Sequence, residues 1–249
     1  MTKKLFLLRG LVRESRHWGD IPQLLQKSLP NMEIITPNIP GSGPFYKDIT
    51  PNNFDDMINS MRTYYAQQIS GGGHTLLAMS LGGMIAKRWT ELFPQDFSQL
   101  ILVNTSFKGI NPIYKRLQPK SMLEFLKLFL TKDIAKREKQ IIQLVSNASH
   151  RHDEVHRRWI EIQRTAPVSR KSFINQLTAA LTFTPNIDKP KPKLHLLAGE
   201  HDRLCSVDCS KKLHEIWGGE IAIHPNAGHD LPIDAPDWFV EKVQAILTN

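Results

Sequence analysis

Ser80 occupies a position in the sequence that suggests chemistry. It lies in LLAMSLGGMIAKRW (76–89), between a short apolar run and a segment with helical spacing. A serine at such a junction is either the N-cap of an ordinary helix or a nucleophile presented at a sharp bend between a strand and a helix. The second hypothesis requires that the chain also supply a base and an acid to activate the hydroxyl.

One carboxylate and one histidine lie where such partners are needed. Asp202 follows an apolar run in LLAGEHDRLC, and His229 follows a later run in HPNAGHDLP. If these runs are parallel strands, the three residues meet at the carboxyl edge of one sheet, where open α/β sheets bind ligands. We predict that Asp202 orients His229 and that His229 takes the proton of Ser80.

The same loops contain four competitors for the base and the acid: His201, Asp208, Asp230 and Asp234. His201 would follow the same strand as the proposed acid, so we interpret it as a loop residue. Asp230 adjoins His229 in sequence, and adjacent loop residues seldom turn their side chains toward each other. Asp208 is typical of the first turn of a helix, where an acidic side chain is favoured.

Short apolar runs alternate with segments of helical periodicity in most of the chain. The predicted strands are KLFLL (4–8), NMEIITPNIPGSG (31–43, a strand that runs into a Pro/Gly loop), HTLLAM (74–79), FSQLILVN (97–104), KPKLHLLAGE (191–200) and EIAIHP (220–225). Strands that alternate with helices form βαβ units. The pattern therefore predicts an α/β fold with a mostly parallel sheet of about six strands, flanked by helices.

Residues 107–187 interrupt the alternation and show only helical patterns. We predict a core formed by residues 1–106 and 188–249, with a helical cap inserted at 107–187. Within the predicted cap, one helix has an apolar stripe that would either pack in a core or line an acyl pocket. The stripe consists of Met122, Leu123, Leu126, Phe129 and Leu130.

The net charge of +8 is concentrated in one part of the chain, because residues 107–193 hold 18 Lys/Arg and 7 Asp/Glu. Such a segment is either a solvated helical surface or an attractant for anionic ligands, acidic proteins, nucleic acid or membrane surfaces. No apolar run approaches the ~20 residues of a membrane span, and the run after MTKK is too short for a secretory signal. We expect a cytoplasmic protein.

Two sets of potential metal ligands do not complete a binding pattern. His152 and His156 are four residues apart but lack the H-E-x-x-H motif. His201, Cys205 and Cys209 would need a further ligand for zinc, and two cysteines imply no disulfide framework. We predict no metal site and no organic cofactor.

AMSLGGMIA, RGLVRESRHW, PNIPGSG, GEHDRL and AGHDLP together resemble the α/β-hydrolase superfamily along essentially the whole chain. AMSLG is similar to the nucleophile elbow G-x-S-x-G, with Ala78 in place of the first glycine, and the order Ser80, Asp202, His229 is that of the superfamily. The resemblance implies an oxyanion hole formed by the N–H groups of Leu81 and Leu11. Many relatives have His-Gly where this chain has Arg9-Gly10.

The resemblance implies a serine hydrolase that cleaves a carboxylic ester or thioester through an acyl-enzyme. An esterase group of this superfamily acts on chains bound to an acidic acyl carrier protein, so the basic segment suggests such a partner besides a small acyl substrate. We expect no nucleic-acid partner. Two alternatives stay open: a C–C bond hydrolase or lyase with the same triad, and a non-catalytic ligand-binding member of the fold.

Overall fold

The structure, a computed structural model, describes residues 3–248, with the side chains of Leu126 and Phe129 outside the described part. Six strands form one parallel sheet in the order β2-β1-β3-β4-β5-β6. The strands are β1 (Lys4–Leu8), β2 (Glu33–Ile35), β3 (His74–Met79), β4 (Phe97–Val103), β5 (Lys193–Gly199) and β6 (Glu220–His224). The predicted fold class and strand number are thereby confirmed.

Helices connect the strands and cover both faces of the sheet. In residues 3–248 the α-helices are α1 (Ile21–Ser28), α2 (Phe54–Tyr64), α3 (Ala66–Ile69), α4 (Leu81–Leu92), α5 (Ile113–Arg116), α6 (Pro119–Leu130), α7 (Ile134–Val145), α8 (His152–Thr165), α9 (Arg170–Thr182), α10 (Val207–Trp217), α11 (Leu231–Asp234) and α12 (Pro236–Thr248). Short 3₁₀ segments span 15–18, 43–45 and 149–151. None of the helices within residues 3–248 has both the length and the apolar composition required to cross a membrane.

The central strands bury side chains on both faces, which explains their continuous apolar runs. On one face Phe6, Leu76 and Leu100 pack against α2, α4 and α10. On the other face Leu7 and Leu77 pack against α1 and α12. Each such fully buried side chain contributes about 1.5–3 kcal/mol to stability. The two cores make the sheet a rigid platform for the loops at its carboxyl edge.

The chain between β4 and β5 is helical from α5 to α9. Helices α7 and α8 have a small core of their own, which includes Ile142 and Trp159 and also takes in Ile233 of α11. The segment is thus packed against the loop region of the sheet. Its definition as a separate cap at 107–187 stays a prediction.

Residues 50–69 have helical periodicity in the sequence, but Tyr65 leaves helical geometry (φ −113°, ψ 25°) and separates α2 from α3. Its hydroxyl accepts the Asn38 N–H at 2.9 Å, which explains the break by a tertiary contact. The apolar stripe of α6 is neither core nor pocket lining at Met122, Leu123 and Leu130, because these side chains are exposed. The stripe's other two side chains, Leu126 and Phe129, lie outside the described residues.

Candidate active site

Ser80 occupies a tight bend between β3 and α4. Its φ of 56° and ψ of −122° lie in a region that residues other than glycine seldom adopt, at a cost of about 1–3 kcal/mol. The Ser80 N–H donates to Val103 O (2.9 Å), and the Ser80 carbonyl accepts from Thr105 Oγ1 (2.7 Å). The Ser80 side chain makes no capping hydrogen bond to α4. This geometry favours the nucleophile hypothesis over the N-cap hypothesis.

Small residues allow the bend to form. Ala78 is fully buried in β3. At Gly82, a Cβ atom would lie 2.5 Å from Arg9 O and 2.9 Å from Leu8 O. Only glycine therefore lets α4 pass this close to the end of β1, which is the physical reason for the spacing seen in the sequence.

The loop after β1 lies directly against Ser80. A Cβ atom on Gly10 would be 3.5 Å from Ser80 Oγ. In this loop the Val12 N–H is occupied, since it donates to Gln176 Oε1 of α9 at 2.9 Å. The Leu11 N–H has no hydrogen-bond partner among the described residues, and Leu81 opens α4, where the first N–H groups lack intrahelical acceptors. Leu11 and Leu81 thus stay the candidate oxyanion donors.

Asp202 and His229 form a buried pair. His229 Nδ1 donates to Asp202 Oδ2 at 2.7 Å, and both residues are about 5% exposed or less. Asp202 Oδ1 accepts the N–H groups of Leu204 (2.8 Å) and Cys205 (2.9 Å), which hold the carboxylate in place. Burial disfavours the charged imidazole, but the charge and hydrogen bond of Asp202 outweigh it and raise the pKa of His229 above 6.5.

Ser80 Oγ makes no hydrogen bond within the described residues, so its contact with His229 Nε2 stays a prediction. Two adjacent residues after β4 nevertheless form hydrogen bonds with the main-chain carbonyls of Ser80 and His229. Thr105 binds the Ser80 carbonyl, and Asn104 Nδ2 donates to the His229 carbonyl at 2.7 Å. Catalytic hydrogen bonds are often long before substrate binds. The Asn104–Thr105 segment therefore fastens both candidate residues to the end of β4.

Asn104 is a site residue that the sequence argument missed. It has a φ of 45°, and its Oδ1 accepts the Gly199 N–H at 3.0 Å while its Nδ2 binds the His229 loop. Asn104 thus links the ends of β4 and β5 with the loop after β6. The signal available in the sequence was an asparagine directly after a predicted strand, since asparagine tolerates left-handed backbone geometry.

The competing residues are engaged elsewhere. Asp230 pairs with Arg9, Asp208 pairs with Lys115 at 2.9 Å, and Asp234 accepts the Gly228 N–H at 2.6 Å. The His201 side chain is exposed. Of the carboxylates in these loops, Asp202 is the one that the described hydrogen bonds join to His229.

Arg9 and Asp230 form a buried ion pair beside His229. The Nη2–Oδ2 and Nη1–Oδ1 distances are 2.5 and 3.2 Å, and the guanidinium lies over the Trp18 ring at 4.8 Å. The pair joins the residue before Gly10 to the residue after His229. Charge-assisted bonds with two contacts are directional, so Arg9 ties the candidate oxyanion loop to the candidate base.

Helices α7 and α8 also contact the loop after β1. Arg13 Nη1 donates to Glu138 Oε2 of α7 at 2.9 Å, and the Arg13 guanidinium lies 4.0 Å from the ring centre of Trp159 in α8. Arg13 and Glu138 are both nearly inaccessible to solvent. The helical segment thus fixes the loop that carries Leu11.

The potential metal ligands have other contacts. His152 Nε2 lies 3.1 Å from Ser146 Oγ, and His156 Nε2 lies 2.7 Å from the Ala135 carbonyl. Cys205 and Cys209 are free, buried thiols. These contacts are those of side chains with structural roles.

A groove of about 810 Å³ lies elsewhere on the molecule, between α2, α3 and the amino ends of β3 and β4. Its charged residues Arg62 and Asp96 neutralise each other at 2.8 Å. The groove is at the edge of the sheet opposite to Ser80. None of the candidate catalytic residues lines this groove.

Known proteins share this architecture. The chain is 23% identical over 245 residues to a biotin biosynthesis bifunctional protein from Teredinibacter turnerae, covering 97% of this chain but only 40% of that protein's length. It is similar to the solved 2-hydroxy-6-oxo-6-phenylhexa-2,4-dienoate hydrolase from Rhodococcus sp. strain RHA1, at a TM-score of 0.80 and 13% identity over 100% of this chain and 91% of the other. It is also similar to the esterase RhEst1 from Rhodococcus sp. ECU1013, at a TM-score of 0.78 and 15% identity over 99% and 90% of the two chains.

A family profile settles the relationship. The profile described as serine aminopeptidase, S33, matches residues 42–236, which include Ser80, Asp202 and His229. The matched range covers most of the chain and extends from the loop after β2 to the start of α12. The sheet order and the bend at Ser80 agree with that match. The chain belongs to the serine aminopeptidase S33 family of the α/β-hydrolase superfamily.

Proposed function

We propose that this protein is a serine hydrolase that cleaves a carboxylic ester or thioester. The observation that carries the proposal is the buried His229–Asp202 pair at 2.7 Å, beside a serine in a left-handed bend. Ser80, Asp202 and His229 are the proposed triad, and Leu11 and Leu81 are the proposed oxyanion donors. The helical segment 107–187 is proposed as a cap over the triad.

The proposed reaction has two steps. Because Nδ1 of His229 is bonded to Asp202, Nε2 takes the proton of Ser80 Oγ as this oxygen attacks the carbonyl carbon. The same proton passes to the departing alcohol or thiol, and an acyl-enzyme forms. Water then attacks the acyl carbon with His229 as base, which releases the carboxylic acid. Each oxyanion donor contributes about 3 kcal/mol to transition-state binding.

A fluorophosphonate probe with peptide mapping tests the proposal. We expect the probe to label Ser80, and labelling to be lost in Ser80→Ala and strongly reduced in His229→Ala. Ser98→Ala is the matched control, because Ser98 is exposed on β4 and should leave labelling unchanged. Labelling at another residue, or turnover of acyl esters by Ser80→Ala, would contradict the assignment.

The C–C hydrolase or lyase alternative uses the same triad on a carbonyl compound. It is favoured by one observation, the likeness of the fold to the dienoate hydrolase. A panel of acyl esters, acyl thioesters, β-diketones and cyanohydrins separates the two activities. Turnover of the last two without ester or thioester cleavage would establish the alternative, and probe labelling without any turnover would indicate a ligand-binding member of the fold.

The biotin-related relative supports an acyl substrate. We propose that an acidic acyl carrier protein presents the acyl group to the basic segment 107–193. The proposal rests on charge, since this segment has 18 Lys/Arg against 7 Asp/Glu.

A further inference from the structure

Helices α5 and α6 expose an unusual set of large apolar side chains. These residues, called the α5–α6 surface below, are Ile113, Tyr114, Met122, Leu123 and Leu130, and each is between 52% and 78% exposed. No other helix within the described residues exposes more than two such side chains, whereas α6 exposes three. A contiguous exposed apolar surface marks an interaction site more often than isolated apolar residues do.

Helix α6 is apolar on two sides. With about 100° between successive residues, Leu123 and Leu130 point in nearly the same direction, and Met122 lies beside them. Phe125 and Leu128 point the other way and pack against the core of α7 and α8. A helix needs only one apolar face to pack on its own protein. The second face therefore fits an apolar partner outside the chain.

Lysines border the α5–α6 surface. Residues 113–132 contain five Lys/Arg and one Glu. Lys127 pairs with Glu124 at 2.7 Å, while Lys120 and Lys132 have no ion-pair partner in the described part of the chain. On the helical wheel, Lys120 and Lys127 lie next to Leu123. An apolar face with flanking lysines is typical of helices that lie in the headgroup region of a bilayer, where the lysine stems cover apolar surface and the ammonium groups reach lipid phosphates.

We propose that the α5–α6 surface binds a bilayer that contains anionic phospholipids. An exposed apolar helix face meets a fluid lipid surface without any need for a complementary groove, and the lysine border supplies the charge complementarity. An acidic protein would satisfy the lysines but would also need an apolar face that matches the five exposed side chains. The binding is peripheral and does not depend on catalysis.

The position of α6 connects this surface to the candidate active site. Gln118, next to the start of α6, donates from Nε2 to the Asp202 carbonyl at 2.6 Å, and its N–H donates to the Leu204 carbonyl at 3.0 Å. Ser121 of α6 binds the Arg203 carbonyl. Ser121 lies on the side of α6 opposite to Leu123, so a bilayer on the α5–α6 surface would be separated from the loop that carries Asp202 by one helix diameter, ~10 Å.

Vesicle co-sedimentation tests the proposal. The full chain should bind vesicles of phosphatidylcholine with phosphatidylglycerol and should bind pure phosphatidylcholine at least tenfold more weakly. Leu123→Ser and Leu130→Ser should each weaken binding about tenfold, because each removes apolar area from the lipid contact. Lys120→Gln and Lys132→Gln should each weaken it about fivefold.

Two control variants make the result specific. Ile187→Ser changes a side chain that is 60% exposed but lies before β5, and it should bind vesicles like the wild type. Ser80→Ala should also bind like the wild type, so a failure of the proposed hydrolase activity would not affect the result. The exchanged leucines are exposed, and circular dichroism should show an unchanged fold. The proposal is overturned if the wild type does not bind anionic vesicles, if Leu123→Ser/Leu130→Ser binds them equally well, or if the surface binds an acidic carrier protein but no vesicle.

Discussion

At the residue scale, Arg9 lies directly before Gly10 in the loop that carries the candidate oxyanion donor Leu11. Its partner Asp230 is in the His229 loop, so the ion pair links two candidate catalytic loops. Both groups are about 3% exposed, and a buried charge is tolerated only with its partner present.

We predict that Arg9→Met lowers the free energy of unfolding by about 3–5 kcal/mol, because Asp230 would be left as an unpaired buried carboxylate. Arg9→Met/Asp230→Leu should recover most of this loss, since both charges are then gone. Urea unfolding of the two variants and the wild type measures the difference. A double variant no more stable than Arg9→Met would show that the pair does not account for the loss.

His229 allows a prediction about pH. Its pKa is raised above 6.5 because Asp202 outweighs the effect of burial, and the proposed mechanism needs the neutral imidazole. Activity should therefore fall as pH drops through this raised pKa. Asp202→Asn should move the acidic limb of the kcat profile to lower pH and reduce kcat by about 10⁴-fold. A limb at the same pH in this variant would contradict the assignment of Asp202.

The same shift affects stability with a defined sign. A folded-state pKa above 6.5 means that the native state binds the His229 proton more tightly than the unfolded chain does. The stabilisation from this pair is fully present below pH 6.5 and is lost as pH rises through the raised pKa.

At the scale of elements, the ends of α7 and α11 connect the helical segment to the His229 loop. Asp234, the last residue of α11, accepts the Gly228 N–H (2.6 Å) with Oδ2, and its Oδ1 accepts Ser146 Oγ (2.6 Å) and the Ala148 N–H (3.1 Å). One carboxylate therefore holds both the residue before His229 and the chain after α7. We infer that Asp234 is a positioning residue.

Asp234→Ala should lower the free energy of unfolding by about 2 kcal/mol, since several donors lose their acceptor. It should also lower kcat/KM for an acyl ester about tenfold while leaving the pH profile in place. Asp237→Ala is the matched control, because Asp237 is an exposed acid in the first turn of α12. Thermal unfolding and ester kinetics distinguish the two; equal behaviour of both variants would rule out a positioning role.

At the scale of the whole molecule, charge is unevenly distributed. The segment 107–193 has 18 Lys/Arg and 7 Asp/Glu, whereas the rest of the chain has 14 and 17. A positive electrostatic potential over the proposed cap would steer anionic substrates toward it. Dissolved salt screens this potential over about 10 Å at 0.1 M ionic strength.

We predict that kcat/KM for an acyl group on an acidic carrier protein, or for an anionic ester, falls steeply with added salt. A neutral ester of the same chain length is the control and should change little. Steady-state kinetics at increasing NaCl concentration measure both slopes. Equal slopes would mean that the basic segment is solvated surface with no part in substrate binding.

Local patterns in the sequence were sufficient for the fold class and for the residues to examine. Apolar runs of strand length predicted all six strands. The signal is continuous in β1, β3, β4 and β5 because these strands are buried on both faces, whereas the edge strands β2 and β6 are only partly buried. The similarity of AMSLG to an elbow motif predicted the bend at Ser80, and a Cβ atom at Gly82 would indeed collide with the end of β1. Ser80, Asp202 and His229 each come after a predicted parallel strand. Their position at one edge of the sheet could therefore be predicted from the sequence.

Contacts between distant parts of the chain were decided only by the tertiary structure. The pairing of Asp230 with Arg9, which is 221 positions away in the sequence, could not be predicted from local patterns. The roles of Asn104 and Asp234 likewise depend on loops that meet only after the sheet has formed. Periodicity identifies an apolar face of α6 but not whether a neighbour covers it, because burial is a property of packing and not of the helix itself.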